Sequence, residues 1–426
     1  MDVVLINAPV TRVSPHARHA LPLGLAYIAA VLQKEGRRVQ AIDFNISGLN
    51  MRRIDIMLRR NPAIVGISCH TETYPNALKI ARRIKEQSPQ VFVVLGGPHA
   101  TILPKEALSE PAVDFVVIGE GEATMAELAT FLLDGRGDLS RIKGIGYKDE
   151  RGQIKLNLRR ELLNPDTLPY PARELFPLEL YEEKWNISTA RGGCPFRCPF
   201  CSASAIWEGR RRPRSPENII AELRLLYEYY GADYTFFAED LFTVNKKWVR
   251  KLLALIKELP YPVKWGCATR VDTVDEQLIE EMAGAGCVSI QFGIESGSQK
   301  ILDSVKGITK EQAIRAVKAC REHGIYCSSS FMVPFPQDTK ESLRETKEFI
   351  KTLSDAGSQI YLSYTTPYPG TYFYEHRDEL GIKLLTDRWD EFDAKHNIIE
   401  TKYLTSREID EMVEEIAGYA GLEKRI

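Results

Sequence analysis

Three of the chain's eight cysteines, Cys194, Cys198 and Cys201, fall within eight residues in the stretch ARGGCPFRCPFCSAS. The C-x3-C-x2-C spacing lets three thiolates converge on one metal centre, and Gly192 and Gly193 let the backbone fold tightly around it. A structural zinc would want a fourth protein ligand, and no Cys or His lies nearby in sequence to supply the usual second pair. A four-iron, four-sulfur cluster accepts three protein thiolates and leaves one iron open. Zinc, or a chance grouping of buried thiols, is the competing reading. Cys69, Cys267, Cys287, Cys320 and Cys327 fall in strands or helices and read as buried small residues.

The 426 residues carry 56 basic and 58 acidic side chains, a formal charge of -2 that disfavours a generic polyanion binder. With 44% hydrophobic and 27% charged residues the composition is that of a globular protein, and the length suggests two or three domains of roughly 150 residues. MDVVLINAP reads as a first strand rather than a signal peptide, and no stretch approaches the roughly 20 apolar residues that span a bilayer. A cytoplasmic location is therefore expected. Thiols stay reduced there, which favours metal binding, catalysis or burial over disulfides.

The elements that must position the cysteines show two patterns. Strands at 2–6, 38–43, 63–68, 91–97 and 114–119 alternate with helices, the first marked by Leu23, Ala26, Tyr27, Ala30 and Val31 on one face. Five apolar strands alternating with helices imply a parallel sheet covered on both faces, over residues 1–140, with ligands expected at its carboxyl edge. Residues 141–184 read as a hairpin (KGIGYKDERGQIKL) and a proline-rich linker crossing a surface. Over 185–374, candidate strands at 185–190, 233–237, 263–267, 288–293, 326–333 and 359–365 are each followed by a helical stretch. Six such units are too few for an eight-fold barrel and fit a partial one. Residues 375–426 read as a small, mostly helical tail. The cysteines lie on the loop after the first barrel strand.

The cysteine motif, with Phe200 just before its last member, resembles that of the radical S-adenosylmethionine (SAM) enzymes. The order of parts along the whole chain resembles the subclass with an N-terminal cobalamin-binding domain. The resemblance implies an α/β fold, a Rossmann-like sheet domain followed by a partial (β/α)6 radical SAM barrel. It implies that SAM chelates the open iron through its amino and carboxylate groups. One electron, from a donor such as flavodoxin or ferredoxin, would then cleave the sulfonium to a 5'-deoxyadenosyl radical.

Other strand ends can be set against that picture. In YTFFAEDLFT, Asp240 falls where the family's strand-end acid receives the SAM ammonium, ahead of Glu239. Arg270 in WGCATRVD is suited to gripping a carboxylate through two parallel hydrogen bonds. Glu295 in SIQFGIESGS resembles the family's acceptor for ribose hydroxyls, with Ser296 beside it. Each alone could be a solvated loop residue; their joint placement at successive strand ends favours a site. Pro334 stands where relatives commonly have glycine. Tyr364, in SYTTPYPGT, could face the barrel interior as a proton or hydrogen-atom donor, or be an ordinary core tyrosine.

For the first domain, no D-x-H-x-x-G occurs, and His16 and His19 sit in the corresponding loop with the wrong spacing, which favours an exposed-loop role. PLGLAYIAAVL, GGPHAT and GEGEAT resemble phrases of the cobalamin-bearing subclass, which often lacks the histidine ligand. That resemblance makes Ser68, Gly96, Gly97, His99, Gly119, Glu120 and Gly121 the candidate cobalamin contacts. Glycines there also let a nucleotide-tailed ligand approach the backbone. The implied activity is a cobalamin-dependent C-methyltransferase acting on an unactivated carbon of a small-molecule or peptidyl substrate. The alternative is a non-methylating radical reaction such as ring closure, dehydrogenation, coupling or rearrangement. The arginines of EGRRRPRS, Arg210, Arg211, Arg212 and Arg214, could bind nucleic-acid phosphate, but lining the barrel rim or pairing with acids is the favoured reading.

Overall fold

Strand β1 (Val3–Asn7) is VVLIN and is buried at all five positions. Such a run suits the middle of a sheet covered on both faces, and period-two alternation divides it: Val3 and Leu5 enter one core, Val4 and Ile6 the other. The protein, a computed structural model, is described over residues 1–11, 19–207 and 209–419. Strands β2 (Val39–Asp43), β3 (Ile64–Ser68), β4 (Phe92–Gly96) and β5 (Phe115–Val117) join β1 in parallel, in the order β2-β1-β3-β4-β5. Helices Leu23–Lys34 and Glu122–Asp134 cover the Val3 face, and helices Met51–Leu58 and Tyr74–Gln87 cover the other. The direction of winding switches between β1 and β3, where such sheets open a crevice at the carboxyl edge. Asn7 is level there with Asp43 and Ser68, and Ser68 with Gly96.

The hairpin expected over 143–156 forms as β6 (Ile145–Lys148) and β7 (Ile154–Leu156), and it extends the sheet: β6 pairs antiparallel with β5, giving seven strands. The proline-rich stretch is not a surface linker. Ala172, Phe176 and Tyr181 enter the Val3-side core, and the Tyr181 hydroxyl donates to Asp43 Oδ2 at 3.0 Å. Prolines signal irregular backbone, but they do not say what the apolar side chains between them touch. The compact unit so formed is Met1–Lys184 together with Arg388–Asp390.

The second unit comprises Trp185–Asp387 and Glu391–Ile426. Two short strands, β8 (Ala190–Arg191) and β9 (Arg212–Pro213), pair antiparallel and close the base of the cysteine loop. Five parallel strands follow side by side in chain order, β10 (Thr235–Phe237), β11 (Trp265–Thr269), β12 (Cys287–Glu295), β13 (Tyr326–Val333) and β14 (Ser358–Tyr364). The strand expected at 185–190 contributes one bridge, Ile187 to Phe237, so a sixth position beside β10 is only marked. The carbonyls of Ser188 and Thr189 are taken instead by Arg214, through its guanidinium at 3.0 Å and its backbone N–H at 2.9 Å. The tail holds the expected helix, Ser406–Tyr419, and adds an antiparallel pair, β15 (Lys383–Leu384) and β16 (Ile399–Glu400). Among the described residues no helix is long and apolar enough to cross a membrane.

Candidate functional site

A cavity of about 600 Å³ opens at the carboxyl ends of β10 to β13, lined by Cys194, Cys198, Phe200, Cys201, Asp240, Arg270 and Glu295 among others. The loop carrying the thiols is held from both sides. Gly193 has φ +34°, and a methyl group there would stand 2.6 Å from the Arg210 nitrogen, so the loop closes against Arg210 only with glycine. Phe200 packs against Phe335 and Phe373 at ring-centroid distances of 5.7 and 6.4 Å, and the Phe373 N–H donates to the Pro199 carbonyl at 3.1 Å.

Burial pushes all three thiols up, Cys201 to about 11. A bound metal centre reverses that balance, because it takes the thiolate. Among the described residues no set of three Cys, His, Asp or Glu side chains is already closed around a single ion. The chemistry of the donors nevertheless fits an iron–sulfur cluster: three soft ligands on one loop, in one cavity, with cationic groups beside them. Arg270 places Nη1 3.7 Å from Cys198 Sγ and lies 3.7 Å over the Phe196 ring. Its fork, expected to grip a carboxylate of the ligand, already holds Asp272, through Nε to Oδ1 at 2.9 Å and Nη2 to Oδ2 at 2.7 Å.

The acids of β10 have separate roles. Glu239 is bound by Arg211 Nη2 at 2.8 and 3.0 Å. No cation among the described residues pairs with Asp240; desolvation by the surrounding protein pushes its carboxyl up, although the residue is itself exposed where it faces the cavity. Glu295 has φ +82°, at a bulge in the β12–β13 register, a strained conformation for a residue with a side chain. Its Oε1 accepts from Lys306 Nζ at 2.7 Å, and Lys306 also donates to the Gly293 carbonyl at 2.6 Å. A methyl at Gly293 would lie 2.5 Å from that carboxylate and 2.6 Å from that ammonium, so the glycine makes room for the pair.

Two residues singled out from the sequence do not reach the cavity. Ser296, 1% exposed, follows Glu295 and points the other way, 3.3 Å from Thr346 Oγ1. Tyr364 lies on the outer face of β14, with its hydroxyl donating to Asp410 Oδ1 at 3.0 Å, whereas Tyr361 lines the cavity. Strand alternation explains both corrections. Lys306, Gln291, Ser328, Ser330 and Tyr361 line the cavity without a sequence signal that marked them. Alternation along β13 and β14 could have found the last three. Lys306 sits eleven residues beyond Glu295 with no local pattern to connect them.

In the first unit, Ser68 and Gly96 end their strands, and Gly97 (φ +94°) and Gly119 (φ +83°) turn the chain away. At Gly96 φ is not positive and a methyl would find its nearest neighbour at 3.7 Å, so nothing in the chain itself demands glycine there. That suits a ligand that lies against the backbone. His99 is not on the edge: it is 1% exposed, stacked on Tyr74 at 4.1 Å with Nδ1 3.3 Å from Thr71 Oγ1. Glu120 is also turned inward, accepting the Leu163 N–H at 3.1 Å, and Gly121 packs close to Ile28. His16 lies outside the described residues, and the His19 N–H donates to Glu182 at 2.6 Å.

Comparison with known proteins agrees with both units. Residues 191–350 match the Radical SAM superfamily, and residues 13–129 match the B12 binding domain. The chain therefore belongs to the cobalamin-binding radical SAM enzymes, whose cofactors are a four-iron, four-sulfur cluster, SAM and cobalamin. A methyltransferase of Pyrococcus horikoshii, itself uncharacterized, is 36% identical over 92% of this chain and 86% of its own. Cytidylyl-2-hydroxyethylphosphonate methyltransferase of Streptomyces wedmorensis is 27% identical, covering 80% and 74%. An anaerobic magnesium-protoporphyrin IX monomethyl ester cyclase of Rubrivivax gelatinosus is 29% identical, covering 85% and 67%. Among solved structures, the radical SAM methyltransferase TsrM from Kitasatospora setae shares the fold with a TM-score of 0.78 at 19% identity, over 98% of this chain and 91% of that one. The cobalamin-dependent radical enzyme OxsB also gives 0.78 at 20% identity, and this chain, 97% covered, spans 66% of its length.

Proposed function

We propose that the protein is a cobalamin-dependent radical SAM C-methyltransferase, moving a methyl group from SAM by way of cobalamin to an unactivated carbon of a small-molecule or peptidyl substrate. The observation that carries the reading is the cavity in which three thiols, the unpaired Asp240 carboxylate and the Glu295–Lys306 pair face one space. When bound, the cluster supplies the electron that cleaves SAM, and cobalamin supplies the methyl carrier. The chain's own groups bind and orient. Cys194, Cys198 and Cys201 hold the iron; Asp240, exposed to the cavity and paired with no cation among the described residues, receives the SAM ammonium; Glu295, its backbone strained toward the cavity, accepts from ribose hydroxyls. Phe200 fixes the loop through its aromatic neighbours. Ser68, Gly96, Gly97 and Gly119 form the edge against which the cobalamin tail lies, while His99, Glu120 and Gly121 support that edge from within. Gln291 and Tyr361 are left to meet the substrate.

The methyltransferase names of the 36% and 27% identical relatives favour transfer over ring closure, and the cyclase defines the competing chemistry. Anaerobically reconstituted protein should show a corrinoid spectrum and convert SAM to both S-adenosylhomocysteine and 5'-deoxyadenosine under a low-potential reductant. Formation of 5'-deoxyadenosine alone would point to a non-methylating reaction. Serine replacement at any of the three cysteines should abolish both products.

A further inference from the structure

The segment from Arg191 to Arg214 holds six arginines and one glutamate in a chain whose formal charge is -2. Two of the arginines are neutralised inside the unit: Arg211 by Glu239, and Arg214 by Glu222 at 2.5 Å. Arg191 and Arg212 also have partners. Arg197 and Arg210 differ, for both are exposed and, among the described residues, neither guanidinium has an ion-pair or hydrogen-bond partner. Their positions are specific. Arg197 is covalently next to Cys198, and the backbone of Arg210 packs against Gly193, the residue before Cys194. Both residues are thus carried by backbone that adjoins the cysteine loop. Two exposed guanidiniums without a partner among the described residues gain little for stability, but they attract an acidic partner over about a Debye length.

We propose that Arg197 and Arg210 form the docking point for an acidic one-electron carrier protein, which reduces the cluster across the cysteine loop. The step is a single electron transfer: the carrier is oxidised by one electron, the cluster is reduced by one, and no bond is made or broken. Opposite charges steer the encounter and orient the carrier's redox group toward the loop, an effect on association rate that falls with salt.

The test uses the full-length, cluster-loaded chain and reduced flavodoxin as the carrier, with cluster reduction followed by stopped-flow absorbance and electron paramagnetic resonance. The double variant R197E/R210E should be reduced by flavodoxin at least tenfold more slowly at low ionic strength, with most of the salt dependence lost. Its reduction by dithionite and its iron and sulfide content should match the native protein. The milder R197Q/R210Q should fall between the two, and it replaces the reversal variant if that one fails to load its cluster. Flavodoxin-driven reduction within twofold of native in these variants overturns the proposal. So does retention of an RNA probe by the native chain that the variants lose, which would make the same arginines a nucleic-acid contact. Absence of iron and sulfide from the native protein would instead overturn the cluster assignment itself, so the two failures are separable.

Discussion

Asp240 is the side chain on which recognition of the cofactor's amino group turns. Desolvation by the surrounding protein raises its carboxyl although the residue is exposed to the cavity, and no cation among the described residues opposes the shift. An incoming ammonium supplies that charge, so SAM binds the ionised form and lowers the carboxyl in doing so. The sign follows: affinity is full above the raised value and is lost as pH falls through it. Asp240→Asn should weaken SAM binding by roughly 10- to 100-fold, the loss of a charge-assisted hydrogen bond of about 1.5–3 kcal/mol. It should also flatten the acid limb of the binding curve, both read by equilibrium dialysis with cluster-loaded protein. The Glu295–Lys306 pair makes a different demand. Its side chains are 10% and 6% exposed, so removing one leaves a buried charge. Lys306→Met should cost about 3–5 kcal/mol in urea unfolding, and adding Glu295→Gln should restore much of it. Equal losses for the single and double variants would show that the pair is not held as described.

At the scale of elements, the turn after β13 is organised by one carboxyl. Asp338, 1% exposed, accepts the Phe335 N–H at 2.7 Å and the Ser342 hydroxyl at 2.6 Å, and burial pushes its carboxyl up to about 6. Phe335 in turn packs on Phe200, so this turn backs the cysteine loop. A folded-state value above the unfolded one means that the folded chain holds the proton longer. The stabilisation is present below about pH 4 and is lost as pH rises through 6, a change of about 3 kcal/mol. Asp338→Asn cannot lose that proton. Its stability relative to native, from chemical unfolding, should therefore shift in the variant's favour by about that amount between pH 4 and pH 8; a constant difference would refute the linkage. None of this was legible in the sequence. The strand–helix alternation was, because apolar runs such as VVLIN and VFVVLGG are local features of the chain. The cysteine triad and Asp240 were legible as well, since their spacing and strand-end position are local facts. What escaped depends on distant partners: β6 on β5, Tyr181 on Asp43, Lys306 on Glu295 and the outward turn of Tyr364 toward Asp410.

Across the whole chain, residues far apart in sequence complete one unit. Trp389 belongs to the first unit although it follows Glu106 by 283 positions, and its indole N–H donates to Glu106 Oε1 at 2.8 Å. Its ring meets that of His99 edge-to-face at a centroid distance of 5.3 Å, and the same imidazole stacks on Tyr74 at 4.1 Å. His99 and Glu106 lie on the short helices Pro98–Ile102 and Pro104–Ser109, which follow β4 at the carboxyl edge where the glycines gather. Helices this short have little stability of their own and depend on such tertiary contacts. Removing the indole in Trp389→Ala takes away one hydrogen bond and a partly buried aromatic surface, a loss of about 2 kcal/mol. Local opening of residues 98–109 should then be roughly 30-fold more frequent. Hydrogen exchange read by mass spectrometry should speed up there and stay unchanged in β10 to β14. Trp389→Phe, which keeps a ring but not the donor, should show a smaller change of about 1 kcal/mol. Uniform acceleration across both units would mean that the contact serves global rather than local stability, and no acceleration at 98–109 would mean that the returning segment does not brace this edge.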